Sequence, residues 1–288
     1  MSNLKAKDIL LTGASGAIGM ATARRLVQKN YNLHLPIRNQ QHLQSLIQNI
    51  DRQKVHVYDY PFELENRELC SKVVNDFFVS ASTPFGLICN AGNYGVFGPF
   101  VKTNLKEWIN AIETNFFSHV TMIHAFCQRV MEKNIQDARI IVLSGAGIGN
   151  NDDYSGITSY STSKAAIIHL VEALASELMP LGIMINAIAP GAVRSGMTDQ
   201  AFKAGSLAPR YAEAAKACID NGGVSPDLTA EMIDYLLSDE TKYLTGRLLS
   251  ARFDLPKLRH ELQKTIGNTS LYKLRRIDNE LFKRVQNT

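Results

Sequence analysis

At 288 residues, 45% of them hydrophobic and 20% charged, the chain has enough apolar surface for one large core and falls within the size of a single large domain. No apolar run approaches the length of a membrane span, and the start, MSNLKAKDILLTGASG, lacks the apolar stretch of a secretory leader. Cys70, Cys89, Cys127 and Cys218 show no CxxC spacing, so free structural thiols in a reducing, cytoplasmic setting are expected. The net charge of +4 is uneven: 256–288 carries eight basic and three acidic residues, +5, and the rest of the chain is −1. Leu271, Leu274, Ile277, Leu281 and Val285 recur there at helical spacing. This pattern predicts a basic helical extension packed on its own protein, not a nucleic-acid or membrane arm.

In chain order, short apolar runs alternate with longer amphipathic patterns. DILLT (8–12) reads as a strand and 18–30 as a helix. NLHLPI (32–37) is a second strand, followed by a polar helix through Leu43, Leu46 and Ile50. VHVYD (55–59), GLICN (86–90), RIIVLS (139–144), IMINAIA (183–189) and RLLSA (247–251) read as further strands. Long helices are expected over 104–133 and 159–179. Such alternation predicts an α/β fold: a Rossmann-like, doubly wound parallel sheet of about seven strands with helices on both faces. One domain spans 1–255, with 194–226 as a loop-and-helix insertion over the substrate end of the sheet, and 256–288 forms the extension.

The first strand runs into Thr12-Gly13-Ala14-Ser15-Gly16-Ala17-Ile18-Gly19 and then a helix. Gly13 permits a tight turn, Gly16 lets backbone approach a diphosphate, and Gly19 allows close helix–sheet packing, with Ser15 and Ile18 at the helix amino terminus. A dinucleotide is the expected ligand. The second strand ends at Ile37-Arg38, where an acid would favour NAD; Arg38 can instead pair with a 2′-phosphate, so NADP(H) is expected over NAD. Asp59, closing the third strand, can accept from the adenine amine or simply cap the strand end.

Tyr160-Ser161-Thr162-Ser163-Lys164 opens a helix after the fifth strand, so phenol and ammonium share one face. A nearby cation lowers a phenol's pKa, which suits Tyr160 to exchange a proton with an alcohol or carbonyl oxygen. Together these motifs resemble the short-chain dehydrogenase/reductase family over residues 8–254. Thr12–Gly19 resembles its TGxxxGxG turn, with Ala17 in place of a glycine. Asn90-Ala91-Gly92 is similar to its NAG motif, Asn115 to its helical relay asparagine, and Tyr160 with Lys164 to its YxxxK pair. Pro190-Gly191-Ala192-Val193 resembles the loop contacting the nicotinamide end.

The resemblance implies catalytic roles for Tyr160, Lys164, Asn115 and a substrate-positioning serine. That serine falls where this chain has Gly145. Ser144 is the expected stand-in, with Ser155, Thr158 or a backbone N–H as alternatives. It also implies homodimers or homotetramers through the two long helices, and a small carbonyl or alcohol substrate. A looser likeness of the LSGAG and YLTGRLLSA segments to surface-polysaccharide enzymes suggests a sugar or nucleotide-sugar. A nucleotide-sugar epimerase or dehydratase and a non-catalytic dinucleotide sensor are the alternative functions. No metal is expected, since His119 and His124 lack ligand spacing.

Overall fold

The computed structural model describes residues 6–38, 48, 50–58, 61–145, 153–259, 269 and 271–273. Among the described residues, seven short strands, β1 (Asp8–Leu11), β2 (Asn32–Leu35), β3 (Val55–Val57), β4 (Pro84–Cys89), β5 (Ala138–Leu143), β6 (Ile183–Ala189) and β7 (Leu248–Ser250), build one sheet. Every pairing is parallel and the order is β3-β2-β1-β4-β5-β6-β7. Parallel strands need crossovers that cover both faces, which explains their nearly unbroken apolar sequences. Strand residues alternate between two cores. Ile9, Leu11, Ile88, Ile141 and Leu143 meet helices α1 (Ala17–Gln28) and α8 (Pro226–Leu237). Leu10, Leu87, Cys89, Ile140 and Val142 face the opposite layer of α2 (Arg67–Ser80), α4 (Ser118–Glu132) and α5 (Thr158–Leu178).

The second strand is shorter than 32–37 because its ladder stops before Pro36, which has no N–H to donate. The expected single helix over 104–133 is three segments. α3 (Leu105–Ile112) leads into a widened turn, Glu113–Phe117, and then α4. Within that turn the Ser118 N–H reaches back five residues to the Glu113 carbonyl, a π-type closure that inserts one residue and carries Asn115 at its centre. The insertion contains α6 (Gly196–Ala204) and α7 (Pro209–Asn221). A short α9 (Leu255–Lys257) follows β7.

The proposed helix through Leu43 and Leu46, and Asp59, lie outside the described residues, as do Leu274, Ile277, Leu281 and Val285. Leu271–Lys273 form a turn, not a helix, with Tyr272 at a φ of 59°. This turn lies along β7: Arg247 Nη1 donates to the carbonyls of Thr269 and Leu271 at 2.7 Å each, and Leu248 N–H donates to the Tyr272 carbonyl at 2.9 Å.

Candidate active site

β1 and β4 are neighbours whose outgoing chains leave in opposite directions, so a crevice opens beyond their carboxyl ends. The Gly13–Gly19 turn and the Asn90–Asn93 loop flank it. Gly13 has a φ of +66°, and a Cβ there would lie 2.8 Å from Asn90 Nδ2 and 2.9 Å from Ala91 Cα. A Cβ at Gly19 would overlap the Gly13 carbonyl and sit 2.7 Å from Ala14 Cα, so helix and turn could not close with any side chain there. Asn90 Nδ2 donates to the carbonyls of Thr12 and Gly13 at 3.0 Å each, and Thr12 Oγ1 accepts from Asn90 N and Ala91 N. Asn90 therefore stitches the two loops together, a stronger role than capping a strand.

Helix α1 is entered through Gly16, which offers no side-chain cap, and its first turn holds no acidic residue. Its first N–H groups and the positive end of its dipole are left for an anion. Ser15 and Gly16 are exposed, and a Cβ at Gly16 would meet nothing closer than the Gly13 carbonyl at 3.5 Å. Ile18 is half-buried beside them, and Arg38 is exposed beyond β2. These residues fit a dinucleotide diphosphate.

On α5, Tyr160 is 7% exposed and Lys164 4%. Lys164 Nζ donates to the Leu143 carbonyl at 2.8 Å and lies 5.7 Å from the centre of the Tyr160 ring. Burial lowers the Lys164 pKa from 10.5 to about 8. The Tyr160 phenol moves opposite to the expectation: burial, then the neighbouring phenols of Tyr94 and Tyr211, push it above the usual tyrosine value. Desolvation disfavours the phenolate, so Tyr160 is kept neutral.

The expected stand-in serine is directed elsewhere. Ser144 is buried and its hydroxyl donates to the Lys164 carbonyl at 3.3 Å. Ser155 donates to Asp153, and Thr158 Oγ1 accepts from Trp108 Nε1 at 3.0 Å. The Tyr160 hydroxyl lies against Gly145: a Cβ there would overlap it and stand 3.1 Å from Tyr160 Cζ. The phenol oxygen occupies the space a residue-145 side chain would need.

Asn115 is fully buried; its Oδ1 accepts from Asn93 N at 2.9 Å and its Nδ2 donates to the Asn93 carbonyl at 2.8 Å. The widened turn delivers it to that loop. A Cβ at Gly92 would stand 2.9 Å from Asn115 Oδ1 and 3.5 Å from Lys164 Nζ, so the glycine lets loop, amide and ammonium meet. Beyond β6, Pro190 is buried, Gly191 has a φ of +80°, and Val193 bridges to Gly223. The Ala192 carbonyl accepts from Val224 N at 2.8 Å, fixing this loop beneath the insertion.

The insertion closes over Tyr160. Ile157, Tyr160 and Ala208 form a small core joined by Tyr94, Phe97, Tyr154, Met197, Ala204 and Tyr211. The Tyr94 and Tyr160 ring centres are 4.6 Å apart. Tyr94 and Phe97 follow Asn90-Ala91-Gly92 closely in the chain, whereas only the folded insertion brings Tyr211 and its helix to α5.

A seven-stranded parallel sheet, an uncapped helix at the switch point and a buried Tyr–Lys pair define a nucleotide-dependent oxidoreductase of the Rossmann type. The chain belongs to the short chain dehydrogenase family, whose model matches residues 7–205. It is 30% identical over 254 residues to the 3-oxoacyl-[acyl-carrier-protein] reductase FabG of Rickettsia conorii, covering 86% of this chain and 96% of that one. It is 29% identical over 252 residues to nodulation protein G of a Rhizobium species, with the same coverage. Among solved structures, the actinorhodin polyketide ketoreductase with NADPH superposes with a TM-score of 0.74 at 22% identity, covering 93% of this chain and all of that one. A gluconate 5-dehydrogenase from Beutenbergia cavernae with bound NADP gives 0.72 at 22% identity, covering 86% and 96%. The chain is thus an NAD(P)-dependent oxidoreductase acting on a small molecule. None of its described helices is long and apolar enough to cross a membrane.

Proposed function

We propose that this protein is an NADP(H)-dependent reductase of a ketone carried on an apolar chain or ring, with Tyr160 as the proton donor. The observation that carries this reading is the Tyr160 phenol: buried, kept neutral beside Tyr94 and Tyr211, in a small apolar cluster on which Tyr154 and Met197 also pack. A neutral phenol can give a proton to the substrate oxygen in the reducing direction, and the phenolate it leaves takes one back in the oxidising direction. The aromatic surround favours an apolar carbonyl compound over the sugar suggested by the sequence, and relatives named as 3-oxoacyl reductases support the same class.

When bound, the nicotinamide supplies or accepts hydride at the substrate carbon. Gly13, Ser15, Gly16, Ile18 and Gly19 would hold the diphosphate, Arg38 the 2′-phosphate and Asp59 the adenine. Asn90, Ala91 and Gly92 with Pro190, Gly191 and Val193 would line the nicotinamide half, and Lys164 its ribose. Tyr160 Oη passes its proton to the substrate oxygen as the carbon becomes tetrahedral. The Lys164 ammonium, held on the Leu143 carbonyl, stabilises the phenolate left behind. Asn115 keeps the Asn93 turn in place beside this pair. Ser144, bound to the Lys164 carbonyl, steadies the lysine's backbone and takes no direct part.

The test is turnover of NADPH and NADH against a panel of 3-oxoacyl thioesters, cyclic ketones and keto-sugars, with Arg38→Ala beside the wild type. NADPH oxidation with apolar ketones, and NADPH affinity falling about tenfold in the variant for one lost charge-assisted bond, is the expected result. Activity confined to keto-sugars, or a preference for NADH, would overturn it.

A further inference from the structure

His119 sits on α4, one turn beyond Asn115, and is fully buried. It is too far from any metal-ligand pattern to be read that way, and the mechanism above does not use it. Its Nε2 lies 3.1 Å from the Ala91 carbonyl, which only accepts, so the proton resides on Nε2 and Nδ1 is a bare acceptor. That Nδ1 is buried with no hydrogen-bond partner among the described residues. A leucine would fill the same space without burying an unmatched polar atom. The imidazole is therefore explained by the one bond it makes, not by packing.

That bond completes a set. The Ala91 N–H is held by Thr12 Oγ1 at 3.2 Å, the Ala91 carbonyl by His119, and both backbone groups of Asn93 by Asn115. Gly92 lies between these ties, against Lys164. The loop is thus locked to the glycine turn on one side and to α4 on the other. Burial and the Lys164 ammonium hold the His119 pKa down to about 3. The ring stays neutral at working pH, keeps its Nε2–H donor and adds no second charge beside the lysine.

We propose that His119 is a positioning residue for the dinucleotide: its Nε2–H bond to the Ala91 carbonyl pre-sets the Ala91–Asn93 loop on which the cofactor is received. This rests on the dinucleotide reading above. The decisive pair is His119→Gln, whose Nε2 reaches as far as the imidazole's, and His119→Asn, whose amide falls short. Each is compared with wild type by NADPH fluorescence titration, by KM and kcat with a turned-over ketone, and by amide exchange of residues 91–93 without cofactor.

The expected result is Gln within about threefold of wild type in NADPH affinity. Asn is expected to bind about tenfold more weakly, as for loss of one buried hydrogen bond. Its loop should exchange faster while kcat changes less than KM for NADPH. Equal behaviour of Gln, Asn and wild type would overturn the proposal. So would equal losses in both variants, which would assign the effect to ring shape. A wild type that binds neither NADPH nor NADH would instead refute the functional reading on which this one stands. If Asn prevents folding, Gln alone decides: a correctly folded Gln variant with wild-type melting but tenfold weaker NADPH binding refutes the role of the bond.

Discussion

Adding one methyl group at Gly145 probes the least expected feature of the site. In Gly145→Ala the new Cβ would overlap the Tyr160 hydroxyl and press on Cζ at 3.1 Å, inside the ordinary contact range for carbon. Restoring contact requires the hydroxyl to retreat by about 1 Å, the scale of misplacement that costs about a hundredfold in a positioned reaction. The phenol has little room to retreat, because the tilted Tyr94 ring lies 4.6 Å away centre to centre and Tyr160 is packed in one buried cluster with Ile157 and Ala208. The glycine itself has no positive φ, so backbone strain does not contribute. The assay is kcat in the reducing direction with saturating cofactor, beside a melting curve to separate misfolding from misplacement. A fall of about a hundredfold with a nearly unchanged melting temperature is expected. Gly145→Ser sharpens the test, since it adds a hydroxyl where the family places one. Wild-type or faster turnover in either variant would show that the phenol moves freely, and would refute the steric reasoning.

Three further outcomes follow from the same geometry. Gly19→Ala places a methyl 2.7 Å from Ala14 Cα, against backbone that cannot yield, so overpacking of about 1–3 kcal/mol is expected. Calorimetry should show a melting temperature lower by several degrees, and an unchanged value would refute the close packing. Lys164 has a folded pKa of about 8 against 10.5 unfolded, so between these values the unfolded chain binds more protons and stability attributable to this residue rises with pH. Its buried charge is most costly below pH 8. The wild-type deficit in unfolding free energy relative to Lys164→Met should therefore shrink as pH climbs from 8 to 10.5, while turnover falls through pH 8 as the ammonium is lost. A flat stability difference across that window would contradict the burial argument. Arg247→Gln removes two 2.7 Å bonds that hold Thr269 and Leu271 along β7. Hydrogen exchange of the Leu248 amide should accelerate, and the uncovered sheet edge should increase concentration-dependent association in light scattering. No change in either would mean the segment is held by other contacts.

The sheet was legible because its causes are local. Unbroken runs such as IMINAIA suit strands buried on both faces, and the glycine turn announced the switch point where β1 gives way to α1. Tyr160 and Lys164 were legible from i,i+4 spacing, and Asn90, Asn115 and the Pro190–Val193 loop from their likeness to family motifs. What was not legible depended on tertiary closure. The widened turn at Glu113–Phe117 has the helical periodicity of its flanks, so nothing in the sequence marks its extra residue. The rise in the Tyr160 pKa comes first from burial and then from Tyr94 and Tyr211, one sixty-six residues upstream and the other fifty-one downstream. Ser144 read as a donor toward substrate because its place beside Gly145 was visible and its bond to the Lys164 carbonyl was not. His119 was weighed only as a metal ligand. Its actual partner is a backbone carbonyl twenty-eight residues away, for which a sequence carries no signature.

The central claim is that Tyr160 gives the proton when the ketone is reduced. It is tested most directly by comparing Tyr160→Phe with wild type in NADPH binding and in single-turnover oxidation of NADPH with a productive ketone. The substitution removes only the hydroxyl that lies against Gly145 and keeps the ring that packs on Tyr94. NADPH affinity within about threefold of wild type, with the hydride-transfer rate down by a factor on the order of a hundred to ten thousand, is the predicted result. A variant that binds NADPH and transfers hydride at the wild-type rate would contradict the account.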